Sequence, residues 1–309
     1  MASVSLSDLI KDLNLDVICK GEYDNINITT SDINRPGLQF ANYFAFFAED
    51  TSTRLQVVGM IEMVYINDLE PMVRKKRLEQ YFSYPIPCVI ICRDLEPSQD
   101  MIEIAIRNNQ TLLKTKLITT KFINQVVNYL DNKLAPRMNL HAVLVDVYGL
   151  GILLMGESGI GKSETALELI KRGHRLVSDD VVNIKKVATD RLIGEPPESI
   201  RYFMEIRGIG IINVQAMYGV GAIINAKSVD LVVNLISWKD GLTCERLGID
   251  EEFTSILDVA VRQITIPVKP GRNLAIIIEA AARDFRLKKL GYNAAQILND
   301  NIIKLNETN

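Results

Sequence analysis

Short apolar runs alternate with charged, amphipathic segments through the first 130 or so residues of this chain. Leu6–Asn14 reads as a short helix, with Ser5 or Ser7 as its cap. Asp32-Ile33-Asn34-Arg35-Pro36-Gly37 carries the Asn/Asp/Pro/Gly signature of a turn. Leu55–Ile66 (LQVVGMIEMVYI) is mostly apolar and fits a strand or a helix. Pro71–Tyr81 reads as a charged helix, and Pro87–Cys92 (PCVIIC) as a buried parallel strand. Glu96–Asn109 and Lys121–Leu134 read as helices. Strands that alternate with helices predict a sheet with helices packed on it.

The texture changes near Asn132–Asn139, where Ala135-Pro136-Arg137-Met138-Asn139 follows a helix and precedes an apolar strand. Beyond it come longer β-branched runs: Ala142–Val147, Gly151–Met155, Ile209–Val214, Leu231–Ile236 and Gln263–Val268. The expectation is an α/β protein of two domains. Residues 1–132 form an N-terminal α/β sheet domain whose role the residues do not reveal. Residues 133–309 form a C-terminal, phosphate-loop-containing catalytic domain. No internal repeat or low-complexity segment interrupts them.

Composition narrows the classes. Apolar residues make up 48% and charged residues 24% of the 309, the balance of a globular chain that can bury real cores. A net charge of −3 supplies no global basic field for nucleic acid. The Met1–Leu15 segment carries Asp8, Lys11 and Asp12, unlike a secretory signal. The apolar stretches Ala142–Met155 and Val220–Trp238 are broken by Asp146, Lys227 and Asp230, so no membrane span is expected and a cytoplasmic location is. Cys19, Cys88, Cys92 and Cys244 match no zinc spacing and read as reduced, partly buried thiols. With only His141 and His174, a histidine-rich metal site is excluded.

The strongest chemical signal is Gly156-Glu157-Ser158-Gly159-Ile160-Gly161-Lys162-Ser163, which fits G-x-x-x-x-G-K-[ST]. An apolar strand (GILLM) leads in and a helix (ETALELIKR) leads out, ended by Gly173. The loop therefore sits at a helix N-terminus, where free N–H groups and the positive end of the dipole face an anion. Lys162 offers a point charge to the β- and γ-phosphates of ATP, and Ser163 a hydroxyl to Mg²⁺. GTPases, motors and small-molecule kinases share this motif, so it does not name a reaction.

Other residues bear on that choice. Ser178-Asp179-Asp180 closes a strand about 15 residues after the loop, and adjacent strand residues point oppositely, so the two carboxylates need not share a role. Glu205 and Arg207, beside glycines, suit a metal and a phosphate respectively, or form a surface ion pair. His141 opens the strand HAVLVDV and reads on its own as structural; His174 reads as a helix C-cap. Pro267-Val268-Lys269-Pro270-Gly271-Arg272 is a stiff turn with two cations. Three readings stay open at this point: a protein kinase, a kinase of a small hydroxylated metabolite, and a nucleotide-binding regulator without turnover.

Together HAVLVDVYG, GESGIGKSETALELIKRGHRLVSDD, EIRGIGIINV and PVKPGRNLAIIIE resemble the bacterial HPr kinase/phosphorylase family, and DINRPGLQF and RLQVVGMIE resemble its first domain. The resemblance implies an enzyme that uses ATP and Mg²⁺ to phosphorylate a serine of the phosphocarrier HPr. It further implies removal of that phosphate by phosphorolysis, inorganic phosphate attacking and pyrophosphate leaving, in the regulation of carbon metabolism. Carried over, Gly156–Ser163 binds ATP, and His141, Lys162, Asp180 and Arg246 are catalytic. Asp180 accepts the serine proton in one direction and donates it in the other. Ser163 and Glu205 hold the metal. Met204–Asn213 serves both reactions, and Pro267–Arg272 serves dephosphorylation. The family is hexameric through its C-terminal domain. The absence of H-R-D and D-F-G motifs agrees with a kinase of non-eukaryotic type.

Overall fold

The computed structural model describes residues 2–21, 25–187, 190–238, 251–269 and 271–307. The chain separates into two compact units, Met1–Ala135 and Pro136–Asn309.

The first unit is built on a five-stranded sheet in the order Asp16–Cys19, Leu112–Lys114, Val89–Ile91, Leu55–Val58, Ile33–Asn34. The last four run parallel, and Asp16–Cys19 pairs antiparallel at one edge. The ambiguous run Leu55–Ile66 is both elements in succession. A strand, Leu55–Val58, passes through Gly59 into the helix Met60–Asp68, whose first turn is closed when the Gly59 N–H donates to the Glu62 carboxylate at 3.0 Å. The expected turn at Asp32–Gly37 contains instead the short strand Ile33–Asn34, recruited by pairing with Leu55 and Gln56. The helix expected from Glu96 starts at Gln99, because Pro97 ends the preceding loop and the Ser98 hydroxyl accepts from Met101 N–H.

Burial on both faces explains why the central strands read as unbroken apolar runs. Val89 and Ile91 face the helices Pro71–Phe82 and Gln99–Arg107, and Ile90 faces Leu6–Asp12 and Thr119–Leu134. Cys19, Cys88 and Cys92 are free and buried, as expected of reduced core thiols; burial pushes the Cys92 thiol up to about 11 and Cys88 further. Cys244 lies outside the described residues.

The second unit stacks helices, a six-stranded sheet and a four-stranded sheet. The larger sheet has the order Arg175–Ser178, Val143–Val147, Leu150–Gly156, Leu231–Ser237, Val259–Val268, Glu252–Ile256. Leu150–Gly156, Leu231–Ser237 and Val259–Val268 run parallel at its centre. Alternation divides the core: Val143, Val145, Ile152 and Leu154 pack under the helices Lys162–Lys171 and Leu274–Lys289, while Leu144 and Leu153 pack on the smaller sheet. That sheet comprises Lys227–Ser228, Arg191–Glu195, Val181–Val187 and Arg137–His141. Here the reading of His141 is corrected: it ends the smaller sheet's edge strand opposite Val181 and does not open the larger sheet's strand, which begins at Val143. His174 caps its helix through its backbone N–H to Leu169 O, but its buried ring pairs with Glu279 at 3.0 Å. Among the described residues no helix is long and apolar enough to cross a membrane.

The strand that delivers the phosphate loop has almost no room beside it. At Gly151 the Asp230 carboxylate accepts the backbone N–H at 2.8 Å, and a Cβ would lie 1.7 Å from the Ser228 carbonyl oxygen. Gly151→Ala should cost about 3 kcal/mol or more, since backbone must move to admit the methyl group. Denaturant unfolding of the full chain checks this, and an unchanged midpoint would show that the strand crossing yields easily.

Candidate active site

The parallel strand Leu150–Gly156 ends where the backbone turns through Gly156, Gly159 and Gly161, at φ 141°, 82° and 103°, and the helix Lys162–Lys171 begins at once. These values lie where side chains are disfavoured and glycine is not. The turn wraps around Lys162, which is 7% exposed and whose ammonium donates to the carbonyls of Gly156 at 2.8 Å and Glu157 at 3.1 Å. The cation is thereby held inside the loop by the backbone that an anion would approach.

The Ser178–Val181 turn brings the carboxylates to this loop. Ser178 Oγ donates to Val181 O at 2.5 Å, Val181 N–H to Asp179 O at 2.8 Å and Ala142 N–H to Asp180 O at 3.0 Å. Asp180 adopts the left-handed conformation at φ 67°, which aspartate tolerates better than most residues. The two side chains then diverge. Asp179 turns inward, 4% exposed, and accepts from Ser163 Oγ at 2.8 Å and from the backbone N–H of Glu205 at 3.1 Å. Asp180 stays about 59% exposed, its Oδ1 2.9 Å from Nδ1 of His141. Burial holds the Asp179 carboxyl above the usual carboxylate range, with the Ser163 and Glu205 hydrogen bonds pulling it down and the neighbouring Asp180 pushing it up.

The hairpin Phe203–Ile206 and Gly210–Asn213 supplies the remaining wall. Its Arg207 lies over the loop, so that a Cβ at Gly159 would come within 2.4 Å of Nη1. Lys162, Ser163, Asp179, Asp180, Glu205, Arg207 and His141 line one cavity of about 140 Å³. The structure therefore brings together all but one of the residues singled out as catalytic or metal-holding. Arg246 is that one and lies outside the described residues. From the predicted Pro267–Arg272 segment, Val268, Lys269, Gly271 and Arg272 border a second cavity with Ile160 and Gly161; Pro270 lies outside the described residues.

Asp179 is named in the sequence only as one of an adjacent pair of carboxylates, with no role of its own. The signal was present in the adjacent carboxylates, but which of the two turns inward depends on the tight turn that follows. An oxygen set of Ser163 hydroxyl and Glu205 carboxylate, with Asp179 fixing the hydroxyl from behind, suits Mg²⁺, which takes one or two carboxylates and completes its shell with water and phosphate. Among the described residues no group of three or more His, Cys, Asp or Glu could hold a metal ion by itself.

Strand, glycine loop and helix N-terminus, with acid groups at the mouth, define a protein of the phosphate-binding-loop class. The chain belongs to the HPr kinase/phosphorylase family: residues 4–130 match the HPr Serine kinase N terminus and residues 132–302 the HPr Serine kinase C-terminal domain. It is 54% identical to the HPr kinase/phosphorylase of Caldanaerobacter subterraneus subsp. tengcongensis, covering 98% of this chain and 99% of that one. It is 52% identical to that of Peptoclostridium acidaminophilum, with 97% of each covered, and 49% identical to that of Clostridium acetobutylicum, with 92% and 91% covered. The solved Hpr(Ser) kinase/phosphatase of Coxiella burnetii is 38% identical, aligned over 52% of this chain and 98% of that one at a TM-score of 0.47.

Linkage gives Asp179 a testable signature. An acid whose folded pKa lies above its unfolded value binds protons more tightly when folded, so its ionised form lowers stability as pH rises through the folded pKa. Asp179→Asn should therefore hold or raise the thermal midpoint at neutral pH and lower turnover by about 10–100-fold, because the amide keeps one acceptor oxygen where the carboxylate uses two, for Ser163 and Glu205. Thermal unfolding beside an activity assay reads both; a large fall in the midpoint with intact turnover would make Asp179 a merely structural residue.

Proposed function

We propose that this chain transfers the γ-phosphoryl group of ATP to a serine hydroxyl of HPr, and removes it again by phosphorolysis. The observation that carries the reading is the meeting, in one small cavity, of the Lys162 loop with an exposed carboxylate, Asp180, held by His141. Full-length similarity to proteins named HPr kinase/phosphorylase supports HPr as the acceptor.

In the forward direction Asp180 takes the proton from the serine oxygen as that oxygen bonds to the γ-phosphorus, and the bond to the β–γ bridging oxygen breaks to release ADP. His141 orients the Asp180 carboxylate. Lys162 and Arg207 hold the phosphoryl oxygens, where positive charge counts most as the bond to the leaving oxygen loosens. Ser163 and Glu205 hold Mg²⁺ through oxygen, with Asp179 fixing the Ser163 hydroxyl from behind. Bound magnesium neutralises phosphate charge.

In the reverse direction an oxygen of inorganic phosphate attacks phosphoserine, the serine oxygen leaves with the proton that Asp180 returns, and pyrophosphate departs. Microscopic reversibility asks one carboxylate to serve both ways. The same reading makes the protein a cytoplasmic homohexamer that regulates carbon metabolism, Arg246 completing its catalytic set.

Purified protein incubated with HPr, ATP and Mg²⁺ should add the mass of one phosphate to HPr, and later addition of inorganic phosphate should remove it with release of pyrophosphate. No mass gain on HPr would defeat the reading. Asp180→Asn should lower both rates together by about 10²–10⁴-fold; full kinase activity in that variant would displace Asp180 from its role.

A further inference from the structure

The cavity that holds the carboxylates is too small for a whole nucleotide. Ligand clefts for such molecules run to roughly 300–1,000 Å³, against about 140 Å³ here. A second cleft of about 590 Å³ lies between the helix Lys162–Lys171 and the residues Val268, Lys269 and 271–275. The two cavities share Gly161 and Glu164 as a common rim. They form one path over the helix N-terminus, narrow and charged at one end, wide and mixed at the other.

Chemistry sets the direction along this path. The phosphoryl group to be transferred must lie within reach of Asp180, in the narrow cavity, so the rest of the nucleotide leaves across Gly161 and Glu164 into the wide one. There the walls change character. Ile160, Val268 and Leu274 are partly buried, pack against the core and line the cleft with apolar surface. Three of the polar groups beside them are already engaged, while the Glu164 carboxylate stands exposed at the shared rim: Thr165 Oγ1 donates to Gly161 O at 2.7 Å, Asn273 Oδ1 accepts from Ile276 N–H at 3.3 Å, and Glu168 accepts from Arg172 at 3.1 Å. What this leaves for a ligand is apolar wall edged by exposed charges, Glu164 at the rim nearest the phosphate loop and the cations Lys269 and Arg272 beyond.

We propose that this cleft is the nucleoside subsite, taking the base and ribose of the nucleoside triphosphate against Ile160, Val268 and Leu274. The inference rests on the phosphoryl-transfer reading and adds the place and orientation of the nucleotide. A base desolvated between apolar walls contributes affinity that bare polyphosphate lacks.

Equilibrium binding of ATP and of inorganic tripolyphosphate to the full chain, each with Mg²⁺, separates the claims. Wild-type protein should bind ATP more tightly than tripolyphosphate. Leu274→Trp, which fills the cleft, should weaken ATP by about tenfold and leave tripolyphosphate within about twofold, which also reports an intact loop. Lys162→Ala should weaken both ligands. If wild-type protein binds neither ligand, the phosphate-loop reading fails. If it binds both equally and Leu274→Trp changes neither, only the nucleoside subsite is overturned. Should Leu274→Trp lose both ligands through misfolding, photolabelling of wild-type protein with an azido-adenine analogue of ATP decides. Label on peptides spanning residues 160–168 or 268–275 supports the cleft, and label confined elsewhere overturns it.

Discussion

The Asp179 carboxylate is the tie on which the rest of the site depends. It joins three pieces of chain far apart in sequence: the helix that opens at Lys162, the turn at Ser178–Val181, and the hairpin that carries Glu205. Burial penalises its charge, and only the Ser163 hydroxyl, the Glu205 amide and its own turn offset that penalty. An unpaired charge in that position would be expensive, so the three pieces hold register together. Phosphate and metal contacts need tolerances of well under an ångström, and a buried, doubly hydrogen-bonded carboxylate is a stiffer hinge pin than a surface ion pair.

That tie works because its anchors are rigid for a different reason. The loop leaves a strand paired on both sides, with Val143–Val147 antiparallel and Leu231–Ser237 parallel. The turn leaves the sheet's edge strand, Arg175–Ser178, and passes into the smaller sheet at Val181. The site therefore sits where two sheets meet, and its side chains come from strand ends and turns whose other ends are locked in hydrophobic core. Close approach of the layers excludes side chains at the crossing, which is why Gly194 faces Leu144 with only 2.4 Å for a Cβ.

Much of this was legible before any coordinates. The glycine loop was readable because its chemistry is local: turn, cation and helix N-terminus lie within eight consecutive residues. The apolar runs at Pro87–Cys92 and Leu231–Ile236 were readable because strands buried on both faces lose their alternation. Long-range pairing was not. His141 looked like the first residue of HAVLVDV, yet the chain changes sheets at Ala142, a break that depends on Asp180 O accepting the Ala142 N–H. The Leu55–Ile66 run could not be divided by apolar content alone, since one helix face is core while Ile61 and Val64 on the other stay exposed. Ile33–Asn34 became a strand only because Leu55 and Gln56 stand beside it, and local turn residues cannot report a neighbour.

Adjacent carboxylates in opposite environments also bear on the kind of acceptor the site suits. Asp179 is dry and committed to protein partners, so it cannot meet an incoming hydroxyl. Asp180 and His141 are each more than half exposed where they line the small cavity. A kinase acting on a small metabolite gains from wrapping its acceptor, because binding energy and exclusion of water come from the enclosure. A protein acceptor brings its own surface to exclude water, and its serine, standing on a folded domain, can reach only a carboxylate presented at the rim. The outward turn of Asp180, held by a left-handed backbone and the His141 ring, keeps its carboxylate where a serine presented on a protein surface can reach it.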